Sequence, residues 1–364
     1  MKYNYLIVGA GFFGSVFAHE AKKNGKTCLI IDKRKHIGGN CYTDKRDGID
    51  IHNYGPHIFH TNDEKIWNWI TQFGEFNNYK HSPRVRYHNK TFSFPINLLT
   101  LQQLWGINTP YEAEKKLSEV KKDIMNPTNL EDWILSQVGE EIYETFVKGY
   151  TTKQWNKNPK DLPISIIKRL PIRTNFDDNY FFDKYQGIPK NGYTSLFENI
   201  LKGIEVKLET DYFDDRHKWN SMCEKVVYTG KIDQFYDYKF GELEYRSLKF
   251  ENERLEIPDF QGCSIVNYTD IQIPITRITE HKHFNFVKSN VTWITKETPI
   301  DYNKNTEPFY PINDEKNNKI YLKYKELTKQ NENVIFGGRL AEYKYYDMHQ
   351  IIASALNKFE KTLK

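Results

Sequence analysis

Cysteine is scarce in this chain, with four in 364 residues. Cys28, Cys41, Cys223 and Cys263 lie far apart, with no C-x-x-C pair and no metal-ligating spacing. That scatter argues against a disulfide framework, a zinc site or a dithiol redox centre, so no metal is expected. No apolar run approaches the 18 or so residues of a membrane span, so no membrane insertion is expected. Charge of one sign is also missing: 52 basic side chains face 48 acidic ones, for a net +4. This gives no reason to expect nucleic acid or an anionic membrane as partner, although a local basic pocket for a small anion remains open. A strand pattern starts within a few residues of Met1 and leaves no room for a signal peptide, so a cytoplasmic setting is expected. No internal repeat or low-complexity tract is visible. At this length, two or three structural units are expected rather than one small core.

What is abundant is aromatic: 25 Tyr, 23 Phe and 7 Trp. Most belong in ordinary packing, but Tyr and Trp among polar residues also form stacking platforms for bases and sugars. The most specific local signal is Gly9-Ala-Gly-Phe-Phe-Gly14. It follows the strand pattern Tyr5-Leu6-Ile7-Val8 and opens a helical one, with Phe13, Val16, Phe17 and Ala21 on one face. A second apolar run, Cys28–Ile31, ends at Asp32. This is the layout of a dinucleotide-binding βαβ unit. Gly9 permits the tight turn, Gly11 the approach of a pyrophosphate, and Gly14 close packing of helix on strand. The helix N-terminus offers free N–H groups to phosphate, and Asp32 can accept from ribose hydroxyls.

Further along, His36-Ile-Gly-Gly-Asn40 is a second glycine turn able to approach the same cofactor. Helical patterns run from about 101 to 147, broken at Pro127. Residues 160–190, rich in Pro, Asn, Asp and aromatics, predict a long loop that acts as a lid. Val226–Gly230 predicts a short buried strand, and alternation between about 243 and 297 predicts antiparallel sheet. Val334-Ile-Phe336 then runs into Gly337-Gly338-Arg339, and a last amphipathic helix carries Met348, Ile351, Ile352, Ala355, Leu356 and Phe359 on one face. Two strand–glycine–helix junctions at opposite ends of the chain predict one nucleotide-binding domain with other domains inserted between. A single glycine fingerprint plus the late Gly-Gly-Arg junction fits a flavoprotein whose final helix N-terminus faces the flavin.

The segments Tyr54-Gly-Pro-His-Ile-Phe-His-Thr61, Lys148-Gly-Tyr-Thr-Thr-Lys-Gln-Trp155, Tyr185-Gln-Gly-Ile-Pro189, Thr276-Arg-Ile-Thr-Glu280 and Phe336-Gly-Gly-Arg-Leu-Ala-Glu342, with Tyr343–Met348 beyond, carry a resemblance. Taken with the glycine turns, they make the chain resemble, end to end, the bacterial flavin-dependent UDP-galactopyranose mutases. The resemblance implies an α/β fold: a Rossmann-like FAD-binding domain (1–77, 191–243 and 313–364), an inserted small helical domain (103–145), and an inserted antiparallel sheet domain with a mobile loop (78–102, 146–190 and 244–312). It implies an isomerase that interconverts UDP-galactopyranose and UDP-galactofuranose by ring contraction, through a covalent adduct between the sugar and N5 of reduced FAD, with no net redox change. The product would serve cell-surface polysaccharide synthesis. An external reductant for the flavin (a reduced nicotinamide cofactor or a reductase) and a homodimer are implied as well.

By the same resemblance, Arg169 and Arg277 hold the diphosphate, and His60 lies near the flavin and the sugar. Phe146, Tyr150, Thr151 and Trp155 surround the uridine, with Asn267 holding the nucleotide, while Tyr180, Tyr310 and Tyr345 donate to the diphosphate. Cofactor contacts fall to Gly9, Gly11, Phe13, Gly14, Asp32, Lys33, Gly39, Asn40, His57, Ile58 and Arg339, and to the turn Tyr346-Asp347-Met348-His349. His81 stands where many family members have Asn, which bears on tolerance for a substituent at C2 of the sugar. The alternatives are the same chemistry on UDP-N-acetylgalactosamine, a flavin oxidoreductase like the amine oxidases, and a nucleotide-sugar binder without turnover.

Overall fold

The computed structural model describes residues 2–363. Its first layer is a five-stranded parallel sheet in the order Val334–Phe336, Cys223–Tyr228, Tyr3–Val8, Cys28–Ile31, Glu205–Lys207. A parallel sheet covered on both faces needs near-continuous apolar strands. Leu6, Ile7, Leu29, Ile30 and Ile31 are accordingly sealed from solvent. The chain leaves Tyr3–Val8 through the glycine turn, forms the helix Phe12–Lys23 and returns as Cys28–Ile31 on one side. Cys223–Tyr228 pairs on the other side. Connections therefore diverge at the C-terminal end of the central strand, where open α/β sheets form a binding crevice.

Helix Phe12–Lys23 buries Phe13, Val16, Phe17 and Ala21 and packs against the last helix, Met348–Thr362, with Phe17 and Phe359 edge to face at 5.3 Å. Strands from both ends of the chain, Tyr3–Val8 and Val334–Phe336, also share one sheet. Gly337 makes the junction tight: a Cβ there would lie 2.0 Å from the Phe13 ring.

The second layer is a seven-stranded sheet ordered Tyr310–Pro311, Tyr245–Leu255, Thr292–Asp301, Arg277–Glu280, Ile265–Tyr268, Arg84–Tyr87, Lys90–Ser93. It is antiparallel apart from one parallel pairing, Ile265–Tyr268 with Arg84–Tyr87. Arg277 and Glu297 stand directly opposite each other in this sheet.

Helices Leu98–Trp105, Pro110–Val120 and Leu130–Ile142 follow the sheet's edge, so helical structure lies on both sides of residue 103. Asn97 with Thr100, and Thr109 with Glu112, form reciprocal capping boxes, and Pro110 takes the first helical turn where its missing N–H costs nothing. A π-helical stretch, Tyr143–Lys148, leads into helix Gly149–Trp155, which turns back onto the sheet. Residues 159–184 are mostly irregular, with short 3₁₀ turns at Pro159–Asp161 and Ile164–Ile166. Tyr185–Gly187 then pairs with Phe59–Thr61 and closes the segment against the nucleotide domain.

Candidate active site

Between the two sheets lies a cleft of about 620 Å³. Its nucleotide-domain end is lined by Asn40, Gly55, His57 and Arg339, and the glycine turn of the same domain lies outside that lining. Gly9 sits at φ +110°, and a Cβ on Gly14 would come 2.0 Å from the Gly9 carbonyl. The helix that starts there has no side-chain cap, so its first N–H groups are available to an anion. Asp32 is bound to this turn: its Oδ2 accepts from Ala10 N at 2.8 Å and its Oδ1 from Arg34 N at 2.9 Å. Each oxygen keeps a second lone pair for a hydroxyl. The second glycine turn rests on the first, with Gly38 N donating to Ala10 O and a Cβ on Gly39 reaching 3.1 Å from Gly11 Cα. Only two near-bare backbones approach so closely.

Around this cradle Arg34 donates to Asn40 Oδ1 at 3.0 Å and stacks over Tyr54, while Lys33 and Arg34 both pair with Glu307. His57 holds its Nδ1 on Gly55 O at 2.8 Å, and burial pulls its pKa down to about 4, so the ring is neutral. Ile58 is buried beside it. Arg339 donates to the Phe309 and Tyr346 carbonyls, yet its Nε is buried without a partner, as is His349 Nδ1. Met348 reaches Cys41 at 3.7 Å, and Asp347 caps the final helix. A glycine cradle and an uncapped helix start fit a bound dinucleotide, and the orphaned atoms of Arg339 and His349 lie toward Tyr345 and His60. Phe13 contributes packing through its ring, Lys33 is half-exposed toward Glu307, and His349 stands edge-on to His60 at 5.1 Å.

The other end is built from the large sheet and the turned-back helix. Arg277 begins its strand and is held on three sides. Its Nε donates to Asn267 Oδ1 at 3.2 Å, its Nη2 to Tyr150 Oη at 3.1 Å, and its Nη1 lies 3.6 Å from Glu297. Glu297 is 3% exposed. Arg169 approaches from the irregular segment, over the Tyr345 ring, with Nη2 on Tyr345 Oη at 3.4 Å and Nη1 3.9 Å from Asp347. Its side chain is 54% exposed, so it is a cation with charge to spare at the mouth of the cleft.

Tyr180 sits within the field of both guanidiniums, and Tyr310 stacks with Tyr345 at 5.6 Å. Burial raises the pKa of Tyr150, Tyr180 and Tyr310, which keeps these phenols as neutral O–H donors. Phe146, Thr151 and Trp155 line the same wall. His60 stacks on Phe181 at 3.8 Å and holds Asp183 Oδ2 at 2.7 Å through Nδ1. The carboxylate accepts, so Nδ1 carries the hydrogen of this bond, and Asp183 fixes the plane of the ring. His81 receives Tyr180 N at its carbonyl, and its imidazole is neutral: burial first, then Arg277, pull its pKa down to about 3.

The cleft lining takes in His60, His81, Phe146, Tyr150, Thr151, Trp155, Arg169, Tyr180, Asn267, Arg277, Tyr310 and Tyr345, with Asn40, His57, Ile58, Arg339 and Tyr346–Met348, whereas Gly9, Gly11, Phe13, Gly14, Asp32, Lys33, Gly39 and His349 are not part of it. Three that sequence reasoning missed are Glu297, Asp183 and Gln154. Their importance depends on strand register and chain reversal, which no local pattern carries. Gln154 lines the cleft with its Oε1 buried and unpartnered.

Fold and cleft together define a Rossmann-type dinucleotide-binding protein with a cationic, tyrosine-rich second subsite. Residues 7–73 match the NAD(P)-binding Rossmann-like domain, and residues 145–345 match the family described as UDP-galactopyranose mutase. The dTDP-fucopyranose mutase of Escherichia coli is 41% identical, the match covering 96% of either chain. The "Probable UDP-galactopyranose mutase" of Klebsiella pneumoniae is also 41% identical, over 99% of this chain and 94% of that one. The crystal structure of a reduced UDP-galactopyranose mutase superposes with a TM-score of 0.76 at 13% identity, covering 99% of this chain and 95% of the other, and so shares the fold. The chain belongs to the UDP-galactopyranose mutase family, and it is an isomerase.

Proposed function

We propose that this enzyme interconverts UDP-galactopyranose and UDP-galactofuranose with a reduced FAD in the glycine cradle. The observation that carries the reading is the pair of guanidiniums, Arg277 fixed by Asn267, Tyr150 and Glu297, and Arg169 exposed opposite, with neutral tyrosine hydroxyls between them. Two guanidinium forks match a diphosphate that must leave and return, and neutral phenols add donors without adding charge. In the reaction the anomeric C1–O bond to the β-phosphate breaks and later reforms, while O4 replaces O5 on C1. Atoms and electrons balance, so no net oxidation occurs.

A reduced flavin supplies the nucleophile, N5, for this chemistry. The chain's own residues do the rest. Gly9, Gly11, Gly14, Gly39 and Asp32 hold the dinucleotide, with Asn40, His57, Ile58 and Arg339 toward its ring. Arg277 and Arg169 bind the diphosphate, and their charge neutralises what develops there on bond breaking. Phe146, Tyr150, Thr151 and Trp155 enclose the base. His60, oriented by Asp183, is placed to carry a proton at Nε2 between the ring oxygen, which gains one as the ring opens, and the attacking hydroxyl, which loses one as it closes. The flavin is kept reduced by an external donor.

A second reading comes from the dTDP-fucopyranose mutase, as similar to this chain as any UDP-galactose relative above: the same ring contraction on a dTDP-6-deoxysugar. One assay decides. The holoenzyme is reduced with dithionite, offered UDP-galactose, UDP-N-acetylgalactosamine or dTDP-fucose, and the products are resolved by chromatography. A furanose of UDP-galactose, formed only with reduced enzyme, is expected. A furanose from dTDP-fucose alone moves the substrate to the second reading. Bleaching of oxidised flavin by substrate in air makes the protein an oxidoreductase and ends both.

A further inference from the structure

Lys153 is not part of the cleft wall, although Gln154 and Trp155 beside it are. Its ammonium is turned the other way, into the connection between strands Ile265–Tyr268 and Arg277–Glu280. There Nζ donates to the carbonyl oxygens of Tyr268 at 2.8 Å, Asp270 at 2.9 Å, Ile273 at 2.8 Å and Ile275 at 2.9 Å. Three N–H bonds serve four acceptors, so Nζ works as the central cation of a carbonyl cage rather than as one partner of an ion pair. Without it, four carbonyl dipoles would converge on an empty point, which a buried loop tolerates poorly.

The cage joins the two halves of the nucleotide subsite. One half is helix Gly149–Trp155, which presents Tyr150. The other is the loop whose two ends carry Asn267 and Arg277. Other contacts press the same surfaces together. A Cβ on Gly149 would lie 2.0 Å from Thr269 O, and Thr269 Oγ1 donates to Thr145 O at 2.6 Å. Arg246 Nε donates to Gln154 O at 3.0 Å and anchors the far end of the helix. Among the described residues, Lys153 is the one charged group inside this junction whose donors all go to the loop.

We propose that Lys153 is a positioning residue for the diphosphate subsite: its ammonium, seated in the four-carbonyl cage, sets Arg277 and Asn267 against Tyr150. This rests on the reading of Arg277 as the diphosphate ligand. The cage also has the donor set of a small-cation site, so a diffusible alkylammonium can stand in for a deleted Lys153 side chain.

The test is UDP affinity of the FAD-loaded enzyme by calorimetry, with turnover of UDP-galactose by the reduced enzyme alongside. K153M keeps the aliphatic stem and removes the charge; it is expected to weaken UDP at least 10-fold and to lower kcat/KM, with flavin occupancy unchanged. In an R277K background, where the fork to Asn267 and Tyr150 is already lost, the same K153M change is expected to cost less than 3-fold. K153A is expected to recover affinity on adding propylammonium but not tetramethylammonium, which is too bulky for the cage. K153Q, with a neutral donor, covers the case in which K153M does not retain FAD, and an intermediate loss is expected. UDP affinity within 2-fold of the parent in K153M or K153Q, or an equal loss with and without Arg277, overturns the positioning role. UDP affinity indifferent to R277K instead overturns the reading of Arg277, whatever Lys153 does.

Discussion

Arg277, proposed above as a diphosphate ligand, shows how one guanidinium is fixed in place. Three partners fix its fork, and one of them, Glu297, is a carboxylate at 3.6 Å on the adjoining strand. A buried ion pair is weak evidence for stability in itself, because desolvation opposes the attraction, but removing one partner leaves an uncompensated charge. Glu297→Gln is therefore expected to lower stability by roughly 3 kcal/mol, the low end for such a loss because Arg277 opens onto the cleft. UDP brings the missing negative charge, so the rise in Tm on adding UDP should be larger in the variant than in the parent. Thermal unfolding of the FAD-loaded protein with and without UDP reads both effects. Equal Tm values and equal shifts would mean that the pair only orients Arg277 and contributes no energy.

At the scale of elements, the structure separates what local sequence can encode from what it cannot. The turn Gly9–Gly14, Asp32 and the last helix were legible because each depends on spacing within one strand–turn–helix unit. Glu297 beside Arg277, Asp183 beside His60 and the acceptors around Lys153 were not. Glu297 meets Arg277 only through the register of two strands 20 positions apart. Asp183 meets His60 only because Tyr185–Gly187 returns to pair with Phe59–Thr61. The carbonyls around Lys153 belong to the backbone and have no residue signature at all.

Two elements make predictions of their own. Gly337 has no room for a Cβ against Phe13, so Gly337→Ala should push the late junction away from the glycine turn and release FAD, read as loss of bound-flavin absorbance after gel filtration. Retention of full flavin would mean that the Phe13 ring moves aside and the junction is not tight. The irregular segment exposes Lys168 and Arg169, both trypsin sites, at the cleft mouth. UDP bound to Arg169 should slow cleavage there several-fold relative to other exposed sites. Cleavage unaffected by saturating UDP would remove this segment from the closed complex.

Across the whole molecule, buried neutral histidines set the response to acid. Burial is the first cause in each case. It pulls His52 well below its ordinary value, His57 to about 4, and His81 and His281 to about 3. In the unfolded chain the same rings take up protons near pH 6.5. Between pH 6.5 and about 3 the unfolded state therefore binds more protons, and stability present above pH 6.5 is lost as the pH falls. Each such ring contributes a slope of at most roughly 1.4 kcal/mol per pH unit in that window. His283, raised by its bond to Glu280, acts in the opposite sense and offsets part of one. His281 is the cleanest probe, because it is not among the cleft-lining residues and is held between His52 N and Thr295 Oγ1. Urea midpoints of the FAD-loaded protein should fall steeply from pH 6.5 to 5, and His281→Gln, whose side chain does not titrate, should make that fall shallower by about one proton's share even if it starts from a lower midpoint. Parallel profiles for parent and variant would show that His281 is solvated in the folded protein, and a flat parent profile would show the same of the whole set.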